Sequence, residues 1–307
     1  MSIVSWFKGK GPSGFGYGST AEEVSAGLDL SGRTFLVTGS TAGLGLETVR
    51  VLALRGARVL ATGRTTEKVQ GAFGEARDAV IPLACELAEP ASVRACVSRV
   101  REMGVALDGI VCNAGIMALP RLETAHGYEL QFFTNHIGHF ILVTGLLEQL
   151  ADRGRVVVLS SGAHASAPTK GIDFDNLSGQ SGYSAIAAYG QSKLANLLFA
   201  RALARRLEGS RRTANALHPG VIRTKLFRHM GPADLGLALV APIALKTVAQ
   251  GAATQVYVAT HPSLADVSGE YFADCNLARS TAHGRDPALA EKLWEVSERI
   301  VAALPSS

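Results

Sequence analysis

The sequence predicts one α/β domain built on a doubly wound parallel sheet, carrying a small cap. Three observations predict it. Strand-like apolar runs alternate with helix-length segments, a glycine-rich turn directly follows the first of these runs, and no composition break or internal repeat divides the 307 residues. Such alternation builds βαβ units and a parallel sheet with both faces covered. An apolar share of 47% supplies a large core, and a charged share of only 18% argues against disorder.

Taken in order, residues 1–30 are rich in Gly and Ser and read as an arm laid over the domain proper, residues 31–307. Arg33 to Thr38 reads as a buried strand, followed by a Gly-rich turn and an apolar helix through about Arg55. Arg58 to Thr62 is a second strand and Val80 to Leu83 a weaker third, with Pro90 opening the helix after it. Leu107 to Cys112 is a fourth. One long helix is expected from His126 to Leu150, then a strand from Arg155 to Ser160 and a loop of nearly thirty residues. A helix from about Ala187 to Glu208 and a strand from Thr213 to Leu217 come next. Beyond these the pattern weakens through an irregular cap, about residues 223–245, to a short strand near Tyr271 and a terminal helix after Pro287.

Several function classes are disfavoured. The net charge of +4 comes from 30 basic and 26 acidic residues without a basic run, so no nucleic-acid partner is expected. The N-terminus has no continuous apolar stretch, and the longest apolar run, Leu235 to Leu245, is broken by Pro242. A membrane span needs roughly 20 apolar residues, so a soluble protein without membrane contact is expected. Cys85, Cys96, Cys112 and Cys275 show neither CxxC nor metal-ligand spacing, which fits a reduced, cytoplasmic protein. His136, His139, His164 and His218 form no HExxH-like pattern, and no metal is expected.

Two features carry chemistry. Thr38-Gly39-Ser40-Thr41-Ala42-Gly43-Leu44-Gly45 joins the first strand to a helix. Glycines let backbone approach a pyrophosphate, and a helix N-terminus offers free N–H groups and partial positive charge. Of the six tyrosines, only Tyr189 is followed by a lysine four residues on, Lys193. At that spacing both lie on one helical face. A phenol has a pKa of about 10, and a neighbouring ammonium lowers it toward working range.

The TGxxxGxG spacing together with YxxxK after the fifth strand resembles the short-chain dehydrogenase/reductase family. The resemblance implies a Rossmann fold and a nicotinamide cofactor bound by Gly39, Ser40, Thr41, Gly43, Leu44 and Gly45, the last Gly permitting close cofactor contact. It carries onto Asn113-Ala114-Gly115 at the end of the fourth strand, onto Pro219-Gly220-Val221-Ile222 with Thr224, and onto Tyr189 and Lys193 as cofactor contacts. Asn135 matches the family residue whose water relays protons to the lysine. Of Ser160 and Ser161, the second matches the hydroxyl beside the tyrosine. The catalytic set it implies is therefore Asn135, Ser161, Tyr189 and Lys193. At the end of the second strand Arg64 stands where an acidic residue would select NAD, so NADP(H) is favoured. Glu86-Leu87 replaces the family's Asp-Leu pair at the adenine.

The Tyr271 to Cys275 and Leu293 to Ser297 stretches and the long loop with Phe174 to Leu177 are similar to the retinol dehydrogenase-like branch. The activity this resemblance implies is interconversion of an alcohol and a ketone or aldehyde. A small carbonyl or alcohol substrate, apolar in view of the Leu- and Ala-rich cap, would serve an enzyme assembled as a homodimer or homotetramer through its two long helices. A non-catalytic NADP(H)-binding sensor or scaffold would be expected to lose one of the four catalytic residues. A double-bond reductase of the same fold stays open.

Overall fold

Strands β1 (Thr34–Val37), β2 (Arg58–Gly63) and β4 (Leu107–Cys112) are largely apolar on both faces because both faces are buried, while β3 (Val80–Ala84), at the sheet edge, is only partly buried. Along β1 the side chains alternate: Leu36 enters one core, Phe35 and Val37 the other. The computed structural model describes residues 9–73, 79–222 and 245–305. Among these, the sheet continues through β7 (Leu150–Leu159), β8 (Thr213–His218), β9 (Tyr271–Ala273) and β10 (Asn276–Leu277). The spatial order is β10-β9-β8-β7-β4-β1-β2-β3, parallel except for the β9–β10 edge pair. The order reverses between β1 and β4, which makes their C-terminal ends the switch point where doubly wound sheets bind ligands. The cap expected over residues 223–245 lies, but for Leu245, outside the described residues.

Helices α1 (Ala21–Val24), α2 (Gly43–Leu54), α3 (Thr66–Phe73), α4 (Pro90–Glu102), α5 (Gly138–Gly145), α6 (Ala185–Arg206), α7 (Val248–Thr260) and α8 (Pro287–Ala303) cover the sheet. The arm lies over α7, with the Phe15 ring edge-on to Tyr257 at 5.7 Å and Gln250 Nε2 donating to Gly18 O. Among the described residues, no helix is long and apolar enough to cross a membrane.

Several elements differ from expectation, among them β7, which begins at Leu150 and not at Arg155, and the unpredicted helices α1 and α3. The long helix starting at His126 is instead a small hairpin, β5 (Thr124–Ala125) and β6 (Tyr128–Glu129), followed by one turn, Leu130–Phe132, a π-helical turn, Phe133–Ile137, and then α5. His126 and Gly127 both have positive φ, 52° and 85°, as a two-residue hairpin turn demands. Helix α7 has no counterpart in the sequence pattern. Every residue from Gln250 to Thr260 is buried, so its sequence has no polar face and no 3.6-residue stripe. Strand β10, also without a counterpart, is only two residues long.

Helix α8 lies on α5 and α6. Trp294 stacks on Phe199 at 5.8 Å, meets Phe140 edge-on at 4.8 Å, and carries the Arg206 guanidinium at 3.9 Å. Part of the surface of α6, one of the two helices through which pairing of copies was expected, therefore carries the chain's own C-terminal helix. Trp294→Ala should cost about 3–5 kcal/mol of folding stability, read as a lower denaturant midpoint with the slope unchanged.

Candidate active site

The ends of β1, β4 and β7 deliver the site. Past β1, Gly39 has φ +68°, and a Cβ there would meet Ala114 Cα at 2.9 Å. Gly43 has φ +58°, and nothing stands within 4 Å of where its Cβ would be. Gly43 is thus the open point of the turn. Gly45 has a different reason: a Cβ there would collide with Gly39 O and Asn113 Nδ2. The last glycine of the turn thus permits close packing of α2 on the turn. Ser40 is also turned inward, its hydroxyl donating to Val37 O at 2.7 Å and its N–H to Thr62 O at 2.9 Å. Its side chain is not offered to a cofactor. Thr41 and Leu44 remain partly exposed on the turn.

Asn113 ties the strand ends together, its Nδ2 donating to Thr38 O at 2.8 Å, while Ala114 N donates to Thr38 Oγ1 at 3.0 Å. From α7, the fully buried Gln255 donates to Leu44 O and to Thr48 Oγ1 beneath the turn. Sequence reasoning missed Gln255 because it missed α7. Arg64 is exposed just past β2. Glu86 accepts from Ala88 N at 3.2 Å within its own loop. Leu87 is buried, with its Cβ and its carbonyl oxygen both packed against Gly138. Ile222 likewise packs inward on Gly251, whereas Val221 is exposed and Pro219 and Gly220 half-buried. Thr224 lies outside the described residues.

Asn135 sits in the π-turn, a form that recurs at functional sites. Its Oδ1 accepts from Ile116 N at 2.8 Å, and its Nδ2 donates to Ile116 O and to Ser192 Oγ, both at 2.9 Å. A Cβ on Gly115 would stand 3.1 Å from Asn135 Oδ1 and 3.3 Å from Lys193 Nζ, so a missing methyl keeps this corner open. Ser160 is buried, its hydroxyl donating to Lys193 O at 2.7 Å, which removes it from the site. Ser161 is half-buried, its hydroxyl accepts from Ala163 N at 3.1 Å, and it stands close enough to the Tyr189 phenol to lower the phenol's pKa. Its carbonyl accepts from His164 Nδ1 at 2.6 Å, and Gly162 N donates to His218 Nδ1 at 3.0 Å. These histidines hold the Ser161 segment, a use that sequence alone did not suggest.

Lys193 Nζ donates to Leu159 O at 3.2 Å and lies 5.7 Å from the Tyr189 ring centre. Burial pushes the ammonium down to about 8. Burial pushes the Tyr189 phenol up, against the neighbouring Ser161 hydroxyl that lowers it. The expected lowering of Tyr189 by Lys193 is not expressed in this geometry, because the ammonium is directed at the end of β7. Outside this constellation, a groove of about 650 Å³ between β6 and α8, bordered by Tyr128, Phe174, Lys292, Val296 and Arg299, contains none of the expected site residues.

Comparisons with known proteins place the chain in a family. Residues 33–234 match the short chain dehydrogenase family. The chain is 42% identical to short-chain dehydrogenase TIC 32 A, chloroplastic, of Brassica napus, over 99% of this chain and 100% of that one. It is 37% identical to human retinol dehydrogenase 14, over 90% and 88% of the two chains. Among solved structures, a blue fluorescent protein from a metagenomic library in complex with NADPH is similar, with TM-score 0.63 and 26% identity over 79% of this chain and 96% of that one.

Proposed function

The chain belongs to the short-chain dehydrogenase/reductase family, in its retinol dehydrogenase-like branch, and from that premise we propose an NADP(H)-dependent oxidoreductase interconverting an alcohol and a ketone or aldehyde. The observation that carries this reading is Tyr189 one helical turn from the buried Lys193, whose Nζ lies 5.7 Å from the tyrosine ring centre, with the Ser161 hydroxyl next to the phenol. The residues present fit the cofactor: Gly43 leaves open backbone at the N-terminus of α2, and Gly115 leaves an open corner between Asn135 and Lys193. Gly39, Thr41, Gly43, Leu44, Asn113 to Gly115 and Pro219 to Val221 would hold it. When bound, it supplies or takes the hydride.

The chain's own residues do the rest. Ser161 and Tyr189 hydrogen-bond the carbonyl oxygen, and Tyr189 gives it the proton in reduction and takes it back in oxidation. Lys193 keeps positive charge near the phenolate and can turn from Leu159 O to ribose hydroxyls. Asn135 holds the Ile116 backbone and Ser192 in place beside them. Two of the exposed large apolar side chains are Ile186, on the first turn of α6 three residues before Tyr189, and Val221 after Gly220, 64% and 52% exposed. They support an apolar substrate. A homodimer or homotetramer is the assembly proposed, with a pairing face that accommodates α8 on α6. The four free, buried cysteines support a reducing, cytoplasmic setting.

The test is NADPH consumption against aldehydes and ketones graded by length and ring number. Turnover that rises with apolar length supports the reading, and a panel that stays flat while NADPH binds opposes it. Arg64 gives a separate check on cofactor choice. Arg64→Ala should weaken NADPH binding by roughly tenfold or more through loss of a charge-assisted hydrogen bond to the 2′-phosphate. NADH binding should be unchanged, and titration with both cofactors reads the difference.

A further inference from the structure

A fully buried histidine, His139, sits on α5 with both ring nitrogens engaged. Its Nε2 is 2.8 Å from Thr38 Oγ1, and its Nδ1 is 2.9 Å from the main-chain oxygen of Asn135. The partners decide where the proton lies. Thr38 Oγ1 already accepts N–H groups from Asn113 at 2.9 Å and Ala114 at 3.0 Å, which fills both lone pairs. Its own proton must point outward, and His139 Nε2 is much nearer than the alternative, Val111 O at 3.4 Å. Nε2 is therefore the acceptor, and the single ring proton is on Nδ1, donated to Asn135 O. An imidazolium would bring a third donor to an oxygen with no place for it.

We propose that His139 is a positioning residue that couples the cofactor side of the site to its acid/base side. One arm holds Thr38, the residue before Gly39 and the anchor of Asn113-Ala114. The other arm holds Asn135 in the π-turn, and Asn135 in turn fixes Ile116 and Ser192, the neighbour of Lys193. The ring thus sets the distance between the glycine turn and the Tyr189–Lys193 face of α6 through buried bonds with no slack. The turnover part of this inference rests on the reading of Tyr189 and Lys193 given above. The tautomer and the affinity do not.

Two substitutions separate the arms. In His139→Asn the side-chain amide can replace Nδ1 and keep the Asn135 arm, while in His139→Gln it can replace Nε2 and keep the Thr38 arm. His139→Asn should raise the NADPH dissociation constant more than it lowers kcat, and His139→Gln should do the reverse, each larger effect being roughly tenfold. Equal effects of the two variants on both quantities would overturn the coupling. A readout on the unmodified protein stands beside these in case a variant fails to fold. Long-range ¹H–¹⁵N correlation spectra of the ¹⁵N-labelled chain at neutral pH should show His139 neutral with its proton on Nδ1. A proton on Nε2, or an imidazolium, overturns the proposal. The Tyr189→Phe variant run in parallel separates the two readings: if it keeps turnover, the acid assignment fails, while the tautomer and the affinity split still decide His139.

Discussion

Tyr189→Phe should fold like the parent chain, bind NADPH with little change, and turn over carbonyl substrates about 10²–10⁴-fold more slowly. The half-buried ring keeps its place on α6 as Phe, and only the phenol hydroxyl near Ser161 is removed. That loss costs about 1 kcal/mol of stability, too little to unfold a domain of this size. The effect belongs to kcat, because the phenol acts where charge develops on the substrate oxygen and not where the cofactor is held. A parallel fall in NADPH affinity would move Tyr189 from proton donor to cofactor ligand. Melting curves, cofactor titration and steady-state rates on the one variant distinguish these outcomes.

The second large effect is acid lability. His136 and His139 are both fully buried, and burial pushes them down to about 3 and about 4. His136 Nε2 meets Ser297 Oγ at 2.8 Å, and that hydroxyl donates to Leu293 O, so the ring donates and clamps α8 onto the π-turn. Linkage fixes the sign. In the unfolded chain both rings titrate near 6.5, so between that pH and the folded values the unfolded state binds more protons. The stabilisation is complete above about pH 6.5 and is lost as pH falls toward the folded values. Together the two rings account for on the order of several kcal/mol, comparable with the whole margin of a typical domain. The thermal midpoint should therefore drop steeply between about pH 6.5 and 4, and His136→Gln should flatten that slope while lowering the midpoint at neutral pH. A midpoint constant across the range would contradict the burial account.

Much of the frame was legible because local signals agreed. The buried strands, the turn Gly39–Gly45 and the Tyr189–Lys193 spacing each come from periodicity or from motif position, and the sheet brings Asn113, Ser161, Tyr189 and Lys193 to one end. Other features escaped for physical reasons. Helix α7 is buried all round, so Gln255 beneath the glycine turn had no pattern to announce it. The π-turn at Asn135 leaves the helical composition unchanged, and only the hydrogen bond from Gly138 N to Phe133 O reveals it. The hairpin turn at His126-Gly127 did carry a signal, a Gly after a residue that tolerates positive φ, but the apolar run after it read as one helix. Ser40, Gly45 and Leu87 show that residues within a binding pattern also carry packing roles that motif position alone does not announce. His139 shows the converse, a residue outside every motif whose two bonds join three of them.

The most direct test of the central claim is deuteride transfer. The protein is incubated with NADPH deuterated at the nicotinamide C4 position and with whichever carbonyl compound the panel identifies, and the product is examined by mass spectrometry and NMR. One deuterium on the carbinol carbon, absent with Tyr189→Phe, is the result expected of a carbonyl reductase using this site. Deuterium on a former double-bond carbon, or none in product while NADPH is bound, would contradict it.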